Sequence, residues 1–251
     1  MTDGIPPALR DFDLERAVVF LDFDGTLVEL AATPDAIVVP DDLRPVLDRL
    51  HRATDGRLVI VSGRPVDQIA GFLPDFPGDI HGAHGAERRV AGQFHAHPLA
   101  GSDAVAELQS SAQDAIAEHP AILLERKQSG LVLHYRADAS LADTARDIAE
   151  RLVAQAGGDF VLHPSKMAYE VRPSDADKGG ALDRVMAGQS SGLLPVVFGD
   201  DTTDEEAMLR ARAHGGFGVK VGEGDSIAAC RLADPAAVLA VLQHWTRDIA
   251  P

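Results

Sequence analysis

Ala17-Val18-Val19-Phe20-Leu21-Asp22-Phe23-Asp24-Gly25-Thr26-Leu27 decides how the rest of the chain is read. Five apolar residues with two β-branched valines read as a buried strand. The run stops at two aspartates one residue apart, followed by Gly-Thr. In an α/β sheet, ligands collect outside the carboxyl ends of the strands. A strand of this kind delivers Asp22 and Asp24 to that edge.

Working outward, Arg57-Leu58-Val59-Ile60-Val61 is a second continuous apolar strand, ending at Ser62-Gly63-Arg64-Pro65. Between the two lie a loop punctuated by Pro34 and Pro40 and a helix with Leu43, Val46, Leu47 and Leu50 on one face, opened by Asp41 or Asp42. Pro45 is tolerated there because the N–H it lacks would be unpaired in a first turn. Strand, helix, strand with both strands apolar throughout is the pattern of a parallel sheet. A short helix over 65–72 follows, then a strand over 80–87 ending in a glycine-hinged turn.

From about residue 100 the texture changes. A helix over 102–119 is followed by strands over 121–127 and 131–136 around Gln128-Ser129-Gly130; a helix over 141–156 is followed by strands over 159–163 and 167–172. Helix, hairpin, helix, hairpin reads as an α+β unit with helices on one face of an antiparallel sheet. The parallel texture then resumes: a helix from Lys178, a strand at Pro195–Phe198 ending in Gly199-Asp200-Asp201-Thr202-Thr203-Asp204-Glu205, a strand over 217–221 and a last helix opened by Asp234-Pro235. The expected organisation is an α/β core of residues 1–100 and 173–251 with one inserted α+β domain over 101–172.

Composition bounds the partners. A chain of 251 residues with 45% hydrophobic and 25% charged residues is ordinary for a globular protein. A formal charge of −16 argues against nucleic acid or an anionic membrane as partner. Cys230 is the only cysteine, so an internal disulfide and a cysteine-rich zinc site are both excluded. No signal-peptide core and no long apolar window is present, and the expectation is a soluble, cytoplasmic monomer.

An isolated Asp-x-Asp-Gly is most simply a turn. Here every core strand ends in reactive residues: Asp22 and Asp24, Ser62 and Arg64, then Asp200, Asp201 and Asp204, while Lys178 opens a helix. Parallel strands bring these to one edge, and so many carboxylates need a compensating cation. Oxygen ligands without a histidine–cysteine cluster suit Mg²⁺. Metal, hydroxyl and ammonium together make a phosphoryl pocket, in which one carboxylate can attack phosphorus and the other can transfer protons.

In order, Asp22-x-Asp24-Gly25-Thr26, Ser62, Lys178 and Gly199-Asp200-Asp201-x-x-Asp204 resemble the four motifs of haloacid dehalogenase-like (HAD) phosphatases. The resemblance implies a HAD-like Rossmannoid core carrying an inserted cap domain. It implies Asp22 as nucleophile, Asp24 as general acid/base, and Ser62 and Lys178 as phosphate binders. Mg²⁺ would be held by Asp22, the Asp24 carbonyl and Asp200, with Asp201 or Asp204 assisting.

Longer strings are similar to the trehalose-6-phosphate phosphatases: Ser62-Gly63-Arg64, His84-Gly85-Ala86-Glu87, Glu125-x-Lys127 with His134-Tyr135-Arg136, Lys166-x-x-x-Glu170-x-Arg172-Pro173 and Lys178-Gly179. In that family the cap recognises the sugar, and by position Lys127, Arg136, Lys166 and Glu170 carry that role here, with Arg64 and Glu87 as further contacts. The implied partner is a phosphorylated disaccharide. Other sugar phosphatases or phosphomutases of the superfamily, and a catalytically silent binding protein on the same scaffold, are the alternatives. His84 and His134 read as structural, Glu205 as a cap or orienting group, and Cys230 as a small apolar filler.

Overall fold

The computed structural model describes residues 5–31, 33, 36–165 and 167–250. Contacts divide the chain into two compact units, Met1–His95 with Asp177–Pro251, and Ala96–Ala176. The chain opens with α1 (Pro7–Arg10), β1 (Ala17–Leu21), α2 (Leu43–Ala53), β2 (Leu58–Val61), α3 (Val66–Phe72), β3 (Asp79–Gly82), β4 (Glu87–Val90) and β5 (Gln93–Ala96). The second unit then adds α4 (Asp103–Ala115), β6 (Leu123–Lys127), β7 (Gly130–His134), α5 (Ala142–Gln155), β8 (Phe160–Ser165) and β9 (Ala168–Pro173). Back in the first unit run α6 (Lys178–Ala187), β10 (Leu194–Gly199), α7 (Thr202–Ala213), β11 (Phe217–Val221), β12 (Cys230–Leu232) and α8 (Pro235–Thr246).

The first unit is built on one sheet in the order β12-β11-β10-β1-β2-β3-β4-β5. It is parallel from β12 to β3, and β4 runs antiparallel to β3. All five residues of β1 are buried because both faces are covered. Ala17, Val19 and Leu21 join a core with α2 and α8, and Val18 and Phe20 join another with α6 and α7. This double coverage is why β1 is a continuous apolar run rather than an alternating one. Strand order reverses direction at β1, the crevice where such sheets bind ligands.

Pro45 sits in the first turn of α2, as expected, and Asp42 occupies its N-cap position. The Asp42 carboxylate, however, accepts from Gln243 Nε2 of α8 at 2.8 Å instead of capping. The stretch read as one strand over 80–87 is two: β3 stops at Gly82, and Ala83 and His84 take left-handed φ of 46° and 57° before β4 starts. β5 and β12 also lie outside the sequence expectation.

The second unit is a four-stranded antiparallel sheet in the order β6-β7-β9-β8. Leu131, Leu133, Phe160 and Val171 pack against α4 and α5 through Val105, Leu108, Ile148 and Leu152. Each such fully buried side chain contributes about 1.5–3 kcal/mol. Side chains alternate across a strand, so the neighbours of Leu131, Leu133 and Val171 lie on the other face. Among the described residues no helix is long and apolar enough to cross a membrane.

Candidate active site

The turn after β1 folds back on itself, with the Leu27 and Val28 amides donating to the Phe23 carbonyl and Gly25 N donating to Val28 O at 2.8 Å. Gly25 has φ +75°, and a Cβ there would lie 2.2 Å from Asp200 Oδ2. Only glycine meets both demands. Asp22 is 5% exposed, and its amide donates to Phe198 O, tying it to β10.

Lys178 is the first residue of α6, which is capped by Asp177 accepting from Gly180 N. Lys178 Nζ donates to Asp22 Oδ1 and to Asp204 Oδ1, each at 2.7 Å, and is 3% exposed. Asp204 sits in the first turn of α7, where its Oδ2 accepts from Asp201 N in a capping box. A Cβ on Gly199 would fall 2.2 Å from Asp204 Cγ, so a second glycine makes room for a second carboxylate.

The electrostatics are one-sided. Oxygens of Asp22, Asp200 and Asp204 lie within 4.8 Å of one another, and Lys178 neutralises one of the three charges. Burial, opposed by Lys178 and reinforced by Asp204 and Asp200, raises the Asp22 carboxyl well above its ordinary range. Burial and then Asp204 push Asp200 up to about 6. Burial alone would lower Lys178, but Asp22 and Asp204 outweigh it and hold the ammonium protonated. A divalent cation would supply the positive charge that Lys178 alone does not, and an all-oxygen donor set suits Mg²⁺. The residues fit the ion.

The second strand end is equally fixed. Ser62 is 1% exposed, and its Oγ accepts from Arg64 N at 3.1 Å. The loop is braced from β3: His84 N donates to Ser62 O and Ala83 N to Arg64 O. Glu87 Oε2 accepts from Val66 N at 2.9 Å, at the start of α3. The Arg64 guanidinium grips Asp24 with two bonds of 2.6 and 2.8 Å and lies 5.3 Å over the Phe72 ring.

The structure thus gathers Asp22, Asp200, Asp204 and Lys178. Of the other expected metal residues, Asp24 has its carboxylate on Arg64, and exposed Asp201 accepts from Thr202 at the start of α7. Glu205, read from the sequence as a cap or orienting group, accepts at Oε2 from Ile227 N at 2.9 Å.

In the second unit Glu125, Val132, Glu170 and His163 form one cross-strand row on the face away from the helices. Lys127 and Arg172 lie two residues along on the same side. Lys127 Nζ is 3.0 Å from Glu125 Oε1, and His134 Nε2 is 2.7 Å from Glu125 Oε2. Burial favours a neutral Glu125, but the bonds to His134 and Lys127 win and lower its pKa. Burial raises Glu170 against Lys127 and Arg172. Arg136 is exposed in the turn after β7. Lys166 lies outside the described residues.

One residue at the core edge escaped the sequence reading. Lys220, on β11, is 5% exposed and donates from Nζ to the Asp200 carbonyl. The available signal was a lone charge, Phe217-Gly218-Val219-Lys220-Val221, inside a strand otherwise apolar enough to be buried.

The family model described as trehalose-phosphatase matches residues 20–235. The trehalose-6-phosphate phosphatase of Escherichia coli K12 is 35% identical over 217 residues, 85% of this chain and 80% of that protein. The crystal structure of a trehalose-6-phosphate phosphatase related protein superposes with a TM-score of 0.72 at 25% identity, covering 91% of this chain and 96% of the other. A haloacid dehalogenase-like hydrolase from Bacteroides thetaiotaomicron shares the fold, with a TM-score of 0.67 at 16% identity over 91% of this chain and 98% of its own. The family match runs from β1 into α8 and so takes in both units and every strand end described above. The chain belongs to the trehalose-phosphatase family, a family of phosphomonoesterases on the haloacid dehalogenase-like fold.

Proposed function

We propose that the chain is a cytoplasmic, monomeric, Mg²⁺-dependent enzyme that hydrolyses trehalose 6-phosphate to trehalose and inorganic phosphate through an aspartyl-phosphate on Asp22. The observation that carries this reading is the buried Asp22–Lys178–Asp204 network beside Asp200, in a chain whose relatives bear that activity in their names.

Asp22 attacks phosphorus with one carboxylate oxygen as the bond from phosphorus to the sugar oxygen breaks. Asp24 gives the leaving oxygen its proton. A water molecule then loses its proton to Asp24 and attacks the same phosphorus, and the bond to Asp22 breaks, which restores the Asp22 carboxylate and returns Asp24 to its protonated form. Ser62 and Lys178 hold the phosphoryl oxygens, and Arg64 sets the direction of the Asp24 carboxylate. Mg²⁺, held by Asp22, Asp200 and the Asp24 carbonyl, with Asp204 or Asp201 behind them, would offset the charge that builds on the phosphoryl group. Lys127, Arg136, Lys166 and Glu170 take the sugar hydroxyls, the lysines and arginine as donors and the carboxylate as acceptor.

The test is phosphate release from a panel of sugar phosphates, with Asp22→Asn alongside. Trehalose 6-phosphate is expected to have the highest kcat/KM, and Asp22→Asn to lose activity by on the order of 10⁴-fold or more. Equal turnover of glucose 6-phosphate or sucrose 6-phosphate overturns the substrate; an active Asp22→Asn overturns the nucleophile.

A further inference from the structure

Lys220 has no part in the mechanism above, yet it is a buried charge, and burying an ammonium costs several kcal/mol unless it is compensated. Nothing in the packing of β11 demands a lysine. Val219 and Val221 supply the strand's contribution to the core, and Lys220 lies between them on the opposite face. A lysine in such a place ordinarily lays its stem on apolar surface and carries its head to water. At 5% exposure this one does not, and its one hydrogen-bond partner among the described residues is the main-chain oxygen of Asp200.

Position explains why that carbonyl is in reach. Lys220 pairs with Gly199 across β10–β11, one residue before the turn that presents Asp200. The Asp200 side chain lies directly over Gly25, whose missing Cβ leaves it room. Asp200 is therefore held through its main chain by Lys220, with its carboxylate packed against Gly25 of the β1 turn. The two buried lysines divide the work differently. Lys178 binds carboxylate oxygens directly, whereas Lys220 binds a neutral carbonyl and leaves the Asp200 carboxylate free to ligate.

We infer that Lys220 is a positioning residue that holds the Asp200 turn in the geometry needed to bind the divalent cation. The inference rests on the Mg²⁺ reading of the site. It is tested by calorimetric titration of Mg²⁺ into the full chain without substrate, comparing wild type, Lys220→Met and Lys220→Arg, with thermal melts in EDTA. Lys220→Met is expected to weaken Mg²⁺ binding tenfold or more while melting close to wild type in EDTA, and Lys220→Arg, which keeps a charged donor, to recover part of the loss. Unchanged binding by Lys220→Met overturns the inference. So does tighter binding, the result if Lys220 acts only as a repelling charge, and so does a large fall in melting temperature in EDTA, which makes the lysine structural. A wild-type chain that binds no Mg²⁺ overturns the metal reading itself, and this inference with it.

Discussion

The carboxyl end of the core sheet and the face of the second unit's sheet away from its helices both collect charged side chains, but they hold them differently. At the core edge Asp22, Asp204 and Ser62 are buried and tied to the main chain: Asp22 by β10, Asp204 by the α7 capping box, Ser62 by the β3 brace. On the other sheet Lys127, Glu125 and His134 are 35–46% exposed and are held by one another. Preorganised donors and charges in a dry site lower a barrier because they do not reorganise during reaction. Exposed pairs are worth little by themselves, and can exchange partners for a ligand's hydroxyls. The contrast is the one the proposed function calls for, with the chemistry in the first region and the choice of substrate in the second.

The contrast breaks hardest at Gly25. An alanine there must take a left-handed φ of +75° with its Cβ 2.2 Å from an Asp200 oxygen, so Asp200 has to move. Gly25→Ala is expected to lower kcat by about 100-fold or more, equivalent to about 2.7 kcal/mol of barrier, and to weaken Mg²⁺ binding alongside. Steady-state kinetics and calorimetry check it. Near-normal kcat would show the cluster to be softer than its packing indicates.

A substitution on the second unit's charged face should behave in the opposite way. Lys127→Ala is expected to raise KM for trehalose 6-phosphate by about tenfold, the value of one charge-assisted hydrogen bond, with kcat within about threefold. Removal of uniform binding has that signature. A fall in kcat at constant KM would place Lys127 in the chemistry and erase the distinction between the two regions.

The same contrast governs what the sequence revealed. β1, β2 and β10 were legible because helices cover both faces, which forces continuous apolar runs. Their reactive ends were legible because a polar cluster after such a run has few structural uses. β4 and β5 were not, since Glu87–Val90 and Gln93–Ala96 are half-buried or exposed and carry no apolar period. β12, at three residues, is too short for one. The order β6-β7-β9-β8 depends on pairing between two hairpins, which neither hairpin encodes locally. Lys220 stayed hidden because its role depends on the turn after the neighbouring strand. Asp24 and Arg64 were each legible, yet their mutual grip is a fact of two loops meeting.

The smallest effect at working pH comes from a core group away from the strand-end carboxylates. His81 on β3 is 2% exposed, and neither ring nitrogen has a partner among the described residues. Burial, then the charges of Arg184 and Arg88, lower its pKa from 6.5 to about 4. The unfolded chain therefore binds this proton between pH 6.5 and 4 while the folded chain does not. Stability from the neutral ring is fully present above pH 6.5 and is lost as pH falls to about 4, up to about 3 kcal/mol for a shift of this size. Urea melts at pH 7.5 and 4.5 should show wild type losing more stability than His81→Leu, with the gap closing at the higher pH apart from a constant offset. Parallel losses in the two proteins would mean that His81 is protonated as easily folded as unfolded, and that the interior of the core is less dry than its active edge.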